Sequence, residues 1–225
     1  MINKYLGGKN IYMNNLLENL ISLKENLEKL PVENIDNLNL ENTMVFIVDM
    51  NNGFAKSGAL YSPRVESLIN PIETFAKSIS NKVNNIIAFT DSHNVDSIEL
   101  RSYPSHCLEN DIQSEIIDEL KSINNLKIIP KNSTNGFFVL NDIKFDNIDN
   151  IIIVGNCTDI CVYQFATTLK AYFNENDIMK NIIVPINLVD TYDAPNVHPA
   201  ELLNIVFFNS MLQNGINVIR ELIFN

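Results

Sequence analysis

Short apolar runs alternate with longer helical stretches from Thr43 to the end of the chain, and this alternation constrains the fold most. Continuous β-branched runs are typical of strands buried on both faces of a parallel sheet. We predict strands at Met44–Val48, Asn85–Phe89, Leu126–Ile129, Ile151–Val154, Ile182–Ile186 and Ile216–Ile219. We predict helices at Pro71–Asn81, Asp111–Lys121, Asp159–Phe173 and Pro199–Asn214. The expected fold is a three-layer α/β domain, whose mostly parallel central sheet of about six strands carries helices on both faces.

The first forty residues follow a different pattern. Leucines recur at spacings of four and three, which places one apolar stripe along a helix: Leu16, Leu20, Leu23, Leu27 and Leu30. Pro31 should end this helix, and a polar linker follows. We therefore divide the chain into an N-terminal helical extension with its linker, residues 1–42, and a main domain, residues 43–225. The stripe either packs on the main domain, which we favour, or pairs with a second subunit in a homo-oligomer.

Composition narrows the class of partner. The 225 residues carry a net charge of −11, which disfavours binding to nucleic acid or to anionic membrane surfaces. No apolar run approaches the roughly 20 residues of a membrane-spanning helix, and the first ten residues lack a compact apolar signal segment. The three cysteines show no spacing typical of secreted scaffolds, so we expect reduced thiols and a cytoplasmic protein.

Reactive side chains follow four of the predicted strands. Asp49 ends the first, Asp91 ends the second with His93 two residues later, Lys131 follows the third, and Cys161 lies shortly after the fourth. Ligands of open parallel sheets bind at the carboxyl ends of the strands. The sequence therefore predicts a site with two carboxylates, an imidazole, an amine and a thiol along one edge, although each residue alone has an ordinary structural explanation.

Cys161 is the candidate nucleophile. If Thr158 is the N-cap, Cys161 lies in the first helical turn, where free amides and the helix dipole should lower the pKa of its thiol. By residue type alone, an inert core cysteine is the more common case. We interpret the Cys157 side chain as structural.

A second cluster lies between the second strand and the next predicted helix. Its nitrogen and oxygen donors suit one divalent metal ion, zinc, iron or manganese: Asp91, His93, Glu99 and His106. The same residues could instead form a hydrogen-bonded loop. We interpret His198 as a structural residue near the start of the last helix.

The segment Gly155–Val162, with the sequence Gly-Asn-Cys-Thr-Asp-Ile-Cys-Val, resembles the nucleophile segment of the isochorismatase-like cysteine hydrolases. Asp49 with Phe54 resembles the opening motif of that superfamily, and Lys131 resembles its conserved lysine. The residues of the second cluster, with Tyr103, resemble the metal-binding region of its nicotinamidases. The likeness extends over about residues 43–222. Asn51 departs from the usual glutamine or glutamate.

The resemblance implies a nicotinamidase-like amidohydrolase that converts nicotinamide to nicotinate and ammonia through a cysteine thioester, a reaction of NAD salvage. Asp49 would accept the proton of Cys161, and Lys131 would hold the charges. The backbone amides of Cys157 and Cys161 would form the oxyanion hole, beside a cis peptide bond at Asn156–Cys157. The metal would position the pyridine ring.

Phe54 and Tyr103 would pack against that ring, although either could be an ordinary core residue. Two alternatives stay open. One is another cysteine hydrolase of the superfamily, acting on a ureido or carbamoyl group without the metal. The other is a non-catalytic protein that binds a metal or ligand on the same scaffold.

Overall fold

A computed structural model describes residues 9–141 and 143–224, with side chains from residue 15 onward. Residues 1–8, part of the predicted extension, lie outside the described residues. The strands are β1 (Val32–Asn34), β2 (Thr43–Val48), β3 (Asn85–Asp91), β4 (Leu126–Lys131), β5 (Asn150–Gly155), β6 (Asn181–Pro185), β7 (Asn217–Ile219) and β8 (Glu221–Ile223). The α-helices are α1 (Lys9–Glu28), α2 (Asn52–Ala55), α3 (Pro63–Ser67), α4 (Ile69–Ile79), α5 (Asp118–Lys121), α6 (Tyr163–Glu175) and α7 (Ala200–Gln213).

The central sheet has six parallel strands in the order β4-β3-β2-β5-β6-β7. All six predicted strands are confirmed within two residues of their expected limits. From β2, the chain adds β3 and then β4 toward one edge of the sheet. It then returns to β5 on the other side of β2 and adds β6 and β7 toward the opposite edge. The order therefore reverses between β2 and β5, and such a reversal opens a crevice at the carboxyl ends of these strands.

Two apolar layers cover the faces of this sheet. Alternate residues of each central strand point to opposite faces, as Val45 and Phe46 of β2 do. On one face the core includes residues of α3, α4 and α5. On the other face it includes residues of α1, α6 and α7. The expected three-layer α/β architecture is thus confirmed.

The predicted helix Asp111–Lys121 is wrong. The segment holds one 3₁₀ turn, Ile112–Ser114, and the single-turn helix α5. Between these two elements the backbone does not continue a helical hydrogen-bond pattern. Ile117 instead donates its N–H to the carbonyl of Met50 at 3.0 Å. These residues brace the loop that follows β2.

The N-terminal segment packs on the rest of the chain. Leu27 of α1 is buried in the core beside α7, whereas Leu16 is 60% exposed, so only the C-terminal part of the leucine stripe is covered. The predicted linker contains β1, which pairs with β8, and the buried side chain of Ile35. The division of the chain at residue 42 stays a prediction.

Among the described residues, no helix combines the length and the apolar character that crossing a membrane requires.

Gly155 allows β2 and β5 to approach each other at the crevice. Its φ is +115°, and a Cβ added there would lie 2.1 Å from the carbonyl oxygen of Val48. Because both the backbone angle and the space exclude a side chain, only glycine fits this strand end.

We predict that Gly155→Ala lowers the free energy of unfolding by about 3 kcal/mol or more, because the new methyl group meets rigid backbone. Urea denaturation followed by circular dichroism measures the change. Gly215→Ala is the matched control, since Gly215 also has a positive φ, +78°, but its added Cβ meets only the flexible end of Lys170 at 3.3 Å. Equal losses in the two variants would contradict the proposed role of the close approach.

Candidate active site

A cavity of about 470 Å³ opens at the carboxyl ends of the central strands. Its volume is typical of a small-molecule site. Cys161 and Asp91 line the cavity, and Asp49 and Lys131 are buried beside them through direct contacts. The structure therefore brings together the residues that the sequence placed at four separate strand ends.

The Lys131 ammonium group joins two carboxylates. Its Nζ lies 2.8 Å from Asp49 Oδ2 and also bonds Asp91 Oδ1. A third contact, 3.0 Å long, goes to the carbonyl oxygen of Ser133. The register explains the Asp91 contact, because Lys131 and Asp91 are direct partners across β3 and β4. All three charged side chains are at least 97% buried, so their charges must be balanced locally.

Asp49 is held by backbone contacts immediately after β2. Its φ of +53° is uncommon outside glycine, although Asp is one of the residues that tolerate it. The N–H of Asp49 donates to the carbonyl of Phe89 at 3.1 Å, and Asn156 Nδ2 donates to the carbonyl of Asp49 at 2.6 Å. The sequence analysis missed this role of Asn156, although the residue lies inside the nucleophile segment.

The carboxyl of Asp49 is poised between its two protonation states. Burial and the charge of Asp91 raise its pKa to about 7, although Lys131 and a hydrogen bond with the Cys161 thiol act in the opposite direction. A group with a pKa near 7 both accepts and returns a proton readily at neutral pH. Asp49 therefore has the protonation behaviour of a general base.

Cys161 lies in a π-helical turn, Thr158–Val162, that leads into α6. The expected N-cap is wrong, because Cys157 occupies that position and Thr158 is already inside the turn. The expected lowering of the thiol pKa is also wrong. Burial raises the pKa of Cys161 well above its usual value, against the opposing effect of Lys131.

The charges of the site explain this difference. Two carboxylates already surround one ammonium group, so a thiolate at Cys161 would add a second uncompensated negative charge. The resting cysteine therefore keeps its proton, and a reaction at its sulfur would require a neighbouring base. The carboxyl of Asp49, which hydrogen-bonds the thiol, is the group placed to act as one.

The peptide bond Asn156–Cys157 is cis, as the resemblance implied. Cys157 and Cys161 both line the cavity. Burial raises the pKa of the Cys157 thiol to about 12, which agrees with a structural side chain. Their backbone amides as an oxyanion hole stay a prediction.

Three of the four predicted metal ligands form one buried group: Asp91, His93 and His106, whose donor atoms lie within 4.8 Å of one another. The Nε2 atoms of His93 and His106 lie 3.5 and 3.6 Å from Asp91 Oδ2. Burial raises the pKa of Asp91, but Lys131 and the two histidines outweigh it and hold that pKa below its usual range.

The second ring nitrogens orient both histidines toward this group. His106 Nδ1 lies 2.7 Å from the carbonyl oxygen of Pro104, and His93 Nδ1 lies 3.0 Å from Asn132 Oδ1. Because these oxygens accept, each Nδ1 is a donor, and each ring is held with its Nε2 directed toward Asp91. Such outer hydrogen bonds are typical of metal-binding histidines, so the donor set fits a divalent ion.

Glu99 lies outside this group. Its Oε2 accepts the N–H of Thr134 at 3.0 Å, although the residue lines the same cavity. Its role as a ligand stays a prediction.

The predicted substrate-binding rings lie beside the histidines. The ring centres of Phe54 and Tyr103 are 5.7 and 6.1 Å from that of His106, and both residues line the cavity. Tyr192 lines it as well, and no sequence signal marked that residue. The cavity therefore has aromatic walls beside the nucleophile.

Comparison with known proteins gives a consistent result. The model of the isochorismatase domain matches residues 43–214. Nicotinamidase 1 of Arabidopsis thaliana is 26% identical over 209 residues, which cover 79% of this chain and 85% of that protein.

Two solved structures share the fold. The N-carbamoylsarcosine amidase of Thermoplasma acidophilum has a TM-score of 0.65 at 22% identity, covering 80% of this chain and 96% of that one. The pyrazinamidase of Pyrococcus horikoshii, in complex with zinc, has a TM-score of 0.61 at 20% identity, covering 79% and 98%.

We predict that His106→Ala lowers the affinity for Zn²⁺ by about 100-fold or more, because a direct ligand matters more than an outer hydrogen-bond partner. Titration of the metal-free protein with Zn²⁺, followed by calorimetry, measures the affinity. His198→Ala is the control, because this third histidine lies outside the cluster and should leave zinc binding unchanged. Unaltered affinity in His106→Ala would remove His106 from the ligand set.

Proposed function

The chain belongs to the isochorismatase family, and we propose that it is a nicotinamidase-like amidohydrolase that converts nicotinamide to nicotinate and ammonia through a cysteine thioester. One observation carries the proposal: Cys161, beside buried Asp49 and Lys131, shares a cavity with the Asp-His-His group. The thiol supplies a nucleophile, and the metal-binding group supplies a means of orienting a pyridine ring.

Acylation begins with the Cys161 sulfur and the carboxamide carbon. Asp49 takes the thiol proton as the C–S bond forms, and the backbone amides of Cys157 and Cys161 stabilise the oxyanion. The C–N bond then breaks, and Asp49 returns the proton to the leaving nitrogen, which departs as ammonia. Lys131, whose Nζ lies 2.8 Å from Asp49 Oδ2, holds the Asp49 side chain in place in both protonation states.

Deacylation reverses these roles. Asp49 accepts a proton from water, whose oxygen attacks the thioester carbon, and the C–S bond breaks. The acid product leaves, and Cys161 recovers its proton.

Asp91, His93 and His106 would hold a divalent ion, which, when bound, supplies a Lewis acid for the ring nitrogen of the substrate. Phe54 and Tyr103 would contact the ring faces or edges. Zinc in the fold relative from Pyrococcus horikoshii supports this assignment.

A carbamoyl or ureido hydrolase is the second candidate, supported by the likeness to an N-carbamoylsarcosine amidase. Such a reaction needs the nucleophile and its partners but not the Asp-His-His group. Ammonia release from nicotinamide and from an N-carbamoyl amino acid, with and without a chelator, separates the two. Chelator-sensitive turnover of nicotinamide supports our proposal, and metal-independent turnover of the carbamoyl compound alone supports the second candidate. A non-catalytic protein would turn over neither.

We predict that Cys161→Ala abolishes ammonia release from nicotinamide, because no other group replaces the sulfur in the thioester. A coupled ammonia assay measures turnover, and circular dichroism checks the fold. Cys107→Ala is the matched control, since this buried thiol bonds the Gln113 carbonyl and should be dispensable for turnover. Residual turnover in Cys161→Ala would rule out the thiol mechanism.

We predict that Asp49→Asn lowers kcat for nicotinamide by about 100-fold to 10,000-fold, the usual contribution of a general acid–base group. The amide is similar in size to the carboxyl group but cannot accept and return the proton. Steady-state ammonia release gives kcat. Asp118→Asn removes an exposed carboxylate, 83% accessible, and should behave as the wild type. A kcat within a few-fold of the wild type in Asp49→Asn would exclude Asp49 as the base.

A further inference from the structure

His198 is fixed at both ring nitrogens. Its Nε2 lies 2.8 Å from Asp159 Oδ2, and its Nδ1 lies 2.9 Å from the carbonyl oxygen of Tyr192. Both ring nitrogens thus lie within hydrogen-bond distance of an oxygen, and the two contacts fix the orientation of the ring. The imidazole therefore cannot rotate without losing a bond, and it holds two segments of the chain together.

Asp159 connects this contact to the nucleophile turn. It lies two residues before Cys161, inside the turn Thr158–Val162. Its second oxygen, Oδ1, accepts the hydroxyl of Thr191 at 2.6 Å. The carboxylate therefore ties the loop that contains Thr191 and Tyr192 to the turn that carries the nucleophile.

Tyr192 is the part of this loop that reaches the substrate cavity. Its ring stacks on the imidazole of His198, with centres 3.7 Å apart and planes inclined by 13°. The same residue lines the cavity together with Cys161, Phe54 and Tyr103. His198 thus supports an aromatic side chain that reaches the site from a different segment of the chain than Phe54 and Tyr103 do.

The backbone of the loop does not depend on this side chain. The turn between Ala194 and His198 is closed by two backbone hydrogen bonds, 2.9 and 2.7 Å long. Asp193 Oδ1 accepts the N–H of Ala200 at the start of α7, at 2.9 Å. Removing the imidazole should therefore release the Tyr192 ring without opening the turn. The stacking of His198 on Tyr192 thus positions that ring and is not required to fold the turn.

We infer that Tyr192 is a wall of the substrate cavity that favours flat aromatic amides, and that His198 is a positioning residue that holds this wall through Asp159. The inference rests on the proposed function and adds a recognition element to it. We expect the chemistry of Cys161 to be unaffected, because the proposed proton transfer runs between Cys161 and Asp49 and uses neither ring.

The test compares kinetic constants for nicotinamide with the reactivity of Cys161 toward iodoacetamide, a small reagent without a ring. We expect His198→Ala and Tyr192→Ala each to raise KM for nicotinamide about 10-fold while kcat changes by less than about 2-fold. The alkylation rate of Cys161, followed by mass spectrometry, should equal that of the wild type. Tyr192→Ala keeps the test decisive if His198→Ala fails to fold.

Val197→Ala is the matched control, because Val197 belongs to the same turn but its side chain is 85% exposed. It should retain the KM of the wild type. An unchanged KM in Tyr192→Ala, or slower alkylation of Cys161 in folded His198→Ala, overturns the inference while leaving the proposed function intact. A wild-type protein that releases no ammonia from nicotinamide overturns both.

Discussion

The bridge from Lys131 to two buried carboxylates is the interaction on which the site depends. Asp49 and Asp91 could not both be ionised in this crevice without the ammonium group between them. Removing one partner of a buried ion pair lowers the free energy of unfolding by about 3–5 kcal/mol. The loss of any one of the three groups should therefore destabilise the other two. The bridge also links the two halves of the site, because Asp49 faces the nucleophile and Asp91 faces the histidines. The proposed proton transfer at Asp49 and the proposed metal binding at Asp91 therefore both depend on the charge of Lys131.

Sheet topology brings these groups together. Asp49 and Cys161 follow β2 and β5, the two strands between which the strand order reverses, and Gly155 lets their ends approach closely. Asp91 and Lys131 end the next two strands outward from β2. Asp49 and Cys161, 112 positions apart in the sequence, thus meet at one edge of the sheet. The precision of the site comes from strand register, which is rigid, and only its rim comes from loops.

The sequence correctly predicted the features that follow from hydrophobic periodicity and from polar residues at strand ends. Its predictions were wrong where contacts between residues distant in sequence determine the local structure or the pKa. The six strands and the convergence of Asp49, Lys131 and Cys161 followed from buried runs with polar residues after them. The prediction of a helix at Asp111–Lys121 was wrong, because the backbone of this segment hydrogen-bonds to the loop after β2, which is distant in sequence. The predicted lowering of the Cys161 thiol pKa was wrong, because the sequence indicated a helix start but did not show the burial and the net charge around Cys161. Tyr192 was missed for the same reason, since nothing local marks a tyrosine that lines a cavity.

In the proposed function, the reacting groups and the aromatic side chains that recognise the substrate lie in different parts of the chain. Asp159 contacts both parts. The reacting groups lie on strand ends and a helix start, which packing holds fixed. Of the aromatic walls, Tyr103 and Tyr192 lie on loops, and Phe54 lies in the short helix α2. The Tyr192 ring stacks on His198, which contacts the Asp159 carboxylate in the nucleophile turn. The backbone of the same loop also contacts that turn, because Thr158 donates its N–H to the carbonyl of Asp190 at 3.1 Å. In the proposed mechanism Asp159 neither donates nor accepts the catalytic proton, so we expect changes in the Tyr192 wall to leave Asp49 and Cys161 undisturbed. On this proposal one scaffold can present the same thiol to differently shaped amides, with selectivity set by the loop after β6.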